Sequence, residues 1–81
     1  MAVWTVYAEW SDADQVWFSR ASDMHGLHVD ADTVDKLVTK AAAHIADLLE
    51  INADILTEDD RQAPHIVRVV AHHERAQPIA A

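Results

Sequence analysis

No cysteine occurs in the 81 residues. Disulfides are therefore excluded, as is any zinc centre built on thiolates or any cysteine nucleophile. Glycine appears once, as Gly26, so no glycine-rich loop is available to cradle phosphate. Basic residues are scarce: 6 against 14 acidic ones, for a net charge of −8. Such a chain repels phosphate, which disfavours unassisted nucleic-acid binding and favours a basic protein partner. No apolar run approaches the roughly 20 residues of a membrane helix. Nor does a positively charged N-terminus lead into an apolar core as in a signal peptide. The expectation is one soluble, cytoplasmic domain spanning 1–81, with 74–81 a loose tail.

What the sequence does contain is organised around Asp32 to Asn52. Val34, Leu37, Val38, Ala41, Ile45, Leu48 and Leu49 recur at the spacing of one helical face. Asp35, Lys36, Thr39, Lys40, Ala43, Asp47 and Glu50 fall opposite. Asp32 is the expected N-cap, with Asp35 one turn on, and Asn52 the expected stop.

The segments around that helix read as strands. Val3 to Trp10 alternates, with Trp4, Val6, Ala8 and Trp10 on the face expected to be core. Ser11 to Asp14 is a turn, and Gln15 to Ala21 a second strand that closes an antiparallel hairpin. Its register is open: a one-residue slip exchanges Trp17 for Val16 and Phe18 on the buried side. Gly26 marks a turn that needs glycine's backbone freedom. A short third strand follows at Leu27 to Val29. Ala53 to Ala63 reads as a loop in which Thr57 to Asp60 can nucleate a helical turn. His65 to His73 carries four β-branched residues in five positions and favours a strand, with a helix as the rival. The fold class expected is a two-layer α+β domain of order βββαβ, an antiparallel sheet with one long helix on one face.

Chemistry-bearing motifs are few. Six histidines are many for this length, and His25 and His28 are close enough in sequence to share an ion. His72 and His73 point to opposite faces of a strand, however, and no HExxH spacing exists. Asp12, Asp14, Asp23, Asp30 and Asp32 are able to approach one another at one end of the sheet, as in a metal-dependent nuclease. Caps and turns account for the same aspartates more simply. No catalytic residue, cofactor or metal ligand is assigned.

One contiguous stretch carries a family resemblance. It runs from Ala8-Glu9-Trp10 through Gln15-Val16-Trp17-Phe18 and Ser22-Asp23-Met24-His25-Gly26-Leu27 to Asp30-Ala31-Asp32-Thr33-Val34-Asp35-Lys36-Leu37. This resembles the HicB-like antitoxin domain in its short stand-alone form, with His25 where the family has proline. The resemblance covers positions 3–52 and is echoed from Pro64 to Val70. It implies a reduced ribonuclease H-like βββαβ unit without ribonuclease activity, which binds and silences HicA, a small basic toxin that cleaves messenger RNA. Full-length members add a DNA-binding segment; residues 1–81 show none, so operator binding is not expected of them.

The function expected is therefore a non-enzymatic protein-binding module. The expected partner-binding residues are Glu9, Asp12 and Asp14 at the hairpin and Asp23, Met24 and His25 in the following loop. A homodimer or tetramer is expected too, with Tyr7 and Trp17 at its interface, because one helix covers only one sheet face. The rival functions are a metal-dependent nuclease or hydrolase and a homo-oligomeric structural domain without a toxin partner.

Overall fold

The computed structural model describes residues 2–62, 64–73 and 79. The tail expected at 74–81 lies outside these residues apart from Ile79. Three strands, β1 (Ala2–Ser11), β2 (Val16–Ser22) and β3 (Asp30–Ala31), are followed by one helix, α1 (Val34–Ile51). A 3-10 turn (Asp59–Arg61) and a last strand, β4 (His65–His72), complete the order. The strands form one sheet in the order β3-β2-β1-β4, with α1 packed on one face.

The sheet is mixed and not antiparallel. β1 pairs antiparallel with β2, and β2 with β3, but β4 runs parallel to β1. The connection dictates this. A single helix crossing the sheet returns the chain to the end it started from, so the strand after the helix matches the strand before it. The β-branched run at 65–73 is thus a strand, and its edge position beside β1 makes it parallel.

The helix follows its periodicity. Leu37, Ala41 and Ile45 are buried, and Leu48 and Leu49 pack at the margin. They meet Trp4, Val6 and Ala8 of β1, the alternating face read from sequence. Thr5, on the other face, is buried as well, where Arg68 Nη2 donates to its hydroxyl at 3.0 Å. The N-cap is Thr33 and not Asp32: its hydroxyl accepts from the Lys36 amide at 3.1 Å. Asp32 instead pairs with Lys36 Nζ at 3.1 Å, one turn on. The hydrogen bond and charge of Lys36 hold its carboxyl below the ordinary range. The pair thus supports the helix above the ordinary Asp range, and that support fades as pH falls through the lowered value. Both side chains are well exposed, so solvent screens the pair. Thr33→Ala is expected to cost about 1 kcal/mol, the usual loss for a removed cap, measured by urea denaturation. Asp32→Ala should cost less.

The hairpin turn occupies Asp12 to Gln15, so Gln15 closes the turn instead of opening β2. Its φ of +55° is uncommon for a residue with a side chain. Two bonds hold it there: its amide to the Ser11 carbonyl at 2.8 Å and its Nε2 to the Asp12 carbonyl at 2.7 Å. The register opposes Trp10 to Trp17 and places Trp17 on the helix side. A bulge between Tyr7 and Ala8 leaves Arg20 as the extra residue of β2. β3 falls after the expected Leu27 to Val29, because Leu27 and Val29 turn into the core. Val29 is tied to Ser19 by two bonds, one through the Ser19 hydroxyl.

Candidate protein-binding surface

The six partner-binding residues expected from sequence fall into two separate groups. Glu9, Asp12 and Asp14 lie at the hairpin end of the sheet. Asp23, Met24 and His25 lie level with Thr5, four residues back along β1 from Glu9 and six from Ser11, or about 13 to 20 Å at strand rise. The two groups do not form one patch.

The second group is largely structural. Met24 is 2% exposed and belongs to the core, which removes it from any surface. Its polar neighbours in sequence hide it: the chain dips inward for one residue between exposed Asp23 and exposed His25. Asp23 is a ladder surrogate. Its carboxylate accepts from the Thr5 amide at 3.1 Å, and its own amide donates to the Thr5 carbonyl at 3.0 Å. Asn52, which caps the end of α1, donates through Nδ2 to the His25 carbonyl at 3.0 Å and touches Met24 Sδ at 3.8 Å. Gly26 turns the loop at φ +84°, and a methyl group added to it would lie 3.6 Å from the Leu48 side chain. Asp23 and His25 remain accessible, Asp23 with its carboxylate already engaged by Thr5.

The first group is held outward. Asp12 Oδ1 accepts from Trp10 Nε1 at 2.8 Å, and the Asp14 amide donates to the Ser11 hydroxyl at 3.3 Å. Glu9 pairs with Arg20, the bulge residue, at 3.1 Å. β3 adds to the same end, since Ala31 is opposite Trp17 and Trp17 opposite Trp10. Asp30 and Asp32 therefore flank the hairpin, and α1 starts beside them with Asp35 in its first turn. Four of the five aspartates singled out for a cluster share this end; Asp23 does not. Among the described residues, no group of three or more His, Asp or Glu is arranged to hold a metal ion.

Tyr7 and Trp17, both expected at an interface, lie on opposite faces. Trp17 is half-buried beside the core, its ring 5.6 Å from Trp10 and 5.5 Å from His73. Tyr7 is exposed on the open face with Val3, Ile66 and Val70. Those three were missed, although the period-two alternation of each strand marks them. A groove of about 470 Å³ between β2 and α1 joins His28, Lys40 and His44 beside Phe18. No spacing in the sequence relates these residues, because they come from separate elements. The Lys40 ammonium there donates to the Asp30 carbonyl at 2.9 Å. No helix among the described residues is long and apolar enough to cross a membrane.

An acidic hairpin end and an open sheet face on a βββαβ scaffold thus define the molecule. The chain belongs to the family of the domain of unknown function DUF1902, whose model matches residues 3–77. No match is found among curated proteins. Among solved structures, the chain is similar to a hypothetical protein from the extremely thermophilic bacterium Thermus thermophilus. The TM-score is 0.65 at 24% identity, over 90% of this chain and 99% of that one. At that identity the likeness establishes a shared fold.

Proposed function

We propose that this protein is a non-enzymatic binding module of the HicB-like antitoxin type, which occludes a small basic protein that cleaves RNA. The observation that carries this reading is the concentration of Asp12, Asp14, Asp30, Asp32 and Asp35 at one end of the domain. An enzyme that grips RNA presents basic side chains to phosphate, and an acidic surface competes for them. Asp12 suits this role because Trp10 fixes one of its carboxylate oxygens and orients the side chain. Glu9, Asp14 and His25 remain candidate contacts; Met24 does not, being buried.

Long-range attraction of this kind acts mainly on the encounter rate. The partner is to be identified by co-purification from the native host, and its association followed by stopped-flow. The expected rate falls about tenfold or more between low and high salt. Asp12→Lys with Asp14→Lys slows it further at low salt while leaving the melting temperature unchanged. A rate insensitive both to salt and to the double reversal overturns the electrostatic mechanism. Recovery of no basic partner overturns the antitoxin reading.

A further inference from the structure

β4 is an edge strand, and its outer side pairs with no other strand among the described residues. Edges of this length are usually blunted by a lysine, an internal proline, a bulge or an inward charge. β4, His-Ile-Val-Arg-Val-Val-Ala-His, has no lysine, internal proline or bulge, and its register with β1 is unbroken from His65 to His72; its one full charge, Arg68, is drawn back over β1 by the bond to Thr5. The direction of its backbone groups follows from one bond. The Pro64 carbonyl accepts from the Ala2 amide at 3.0 Å, so Pro64 faces β1. In a parallel ladder, facing alternates along the strand. The amides and carbonyls of His65, Val67, Val69 and Ala71 therefore point to the free edge.

Charge identifies the occupant. From Gln62 to His73 the chain has no acidic residue, although it carries 14 in all. The edge thus offers a basic partner no carboxylate and presents little repulsion to another copy of a −8 chain. We infer that two copies pair antiparallel through β4 about a two-fold axis, joining their sheets into one of eight strands. This rests on the edge alone and is independent of the antitoxin reading.

The register follows from facing and charge. Like faces must coincide, so the axis passes through a residue and not between two. An axis at Arg68 sets two guanidinium groups opposite each other. An axis at Val69, the other residue beside the middle of this eight-residue strand, keeps nearly the whole strand paired and avoids this, setting Val67 against Ala71 and Arg68 against Val70 of the second copy. The same edge borders an apolar groove of about 250 Å³ between α1 and β4, lined by Trp4, Ala42, Ile45, Ala46, Leu49 and Val67. Pairing at Val69 sets the Val67 end of each groove beside Ala71 of the second copy.

The absence of cysteine makes the test clean. Val69→Cys introduces a single thiol that meets its own counterpart at a Cα separation of about 5.5 Å, within disulfide range. Oxidation is expected to convert it to a covalent dimer, while Tyr7→Cys, on the open face, stays monomeric on a denaturing gel. The unmodified protein supplies the second measurement. Light scattering at about 100 µM should give twice the chain mass, and the amides of Val67, Val69 and Ala71 should lose exchange protection on dilution while those of Ile66, Arg68 and Val70 keep it. A monomeric mass overturns the proposal. So does cross-linking through Tyr7→Cys in place of Val69→Cys, which makes the open face the interface. Protection at Val67, Val69 and Ala71 that survives dilution of a monomer also overturns it, because the edge is then covered from within one chain.

Discussion

Leu37→Asp is expected to abolish the folded state. Leu37 is fully buried on the core side of α1, among the side chains of β1. A carboxylate there has no basic partner in the core. Among the described residues the core consists of Ala, Val, Leu, Ile, Met and Trp side chains, and buried Thr5 lies on the other face of the sheet. Removing the leucine costs about 2–5 kcal/mol in lost contacts, and burying an unpaired charge adds several more. A domain of this size has roughly 5–10 kcal/mol in total. Circular dichroism should show no cooperative melting. Ala43→Asp, on the exposed face of the same helix, should melt within a few degrees of the parent. If both variants melt alike, the buried stripe is wrongly placed.

The second large effect is expected at Met24. Truncation to alanine leaves a cavity beside Leu48 and Asn52 where the 23–27 loop meets the end of α1. The cost is about 2–5 kcal/mol, or a fall in melting temperature of roughly 10 °C or more for a chain this short. His25→Ala, one residue on, removes an exposed side chain and leaves intact the carbonyl that Asn52 uses. It should shift the melting temperature by no more than a few degrees. Equal, small effects at both positions would return Met24 to the surface.

The contrast between these two neighbours shows where the sequence was legible. Periodicity identifies Leu37 because seven apolar residues agree on one face, and it identifies Trp4, Val6 and Ala8 because alternation has only two phases. Met24 has no such company. It sits in a turn between Asp23 and Gly26, where neither period applies, and only the packing of α1 draws it inward. The same limit explains Thr33. Asp32, Thr33 and Asp30 are all good capping residues, and the choice depends on where Ala31 ends its pairing with Trp17. The direction of β4 was invisible for another reason: strand pattern records which face is buried, not which way the chain runs. The acidic end of the candidate site was legible as composition and as turns. Its assembly depended on β3 lying beside the hairpin, and the separation of Asp23 from it depended on a bond to Thr5 across the strand.

The central position of β1 has a consequence for how the chain is made. Among the described elements β1 precedes all others, yet its two neighbours in the sheet are β2, which follows at once, and β4, which comes after the rest. The hairpin closes early because its loop is short. The pairing of Ala2 with His65 spans nearly the whole chain, and loops of that length close slowly. Until α1 docks, the apolar face formed by Trp4, Val6 and Ala8 stays open, and until β4 emerges so does one side of β1, leaving α1 on an unfinished sheet. The nascent chain therefore passes through a stage with an exposed aromatic strand, the kind of surface that chaperones hold.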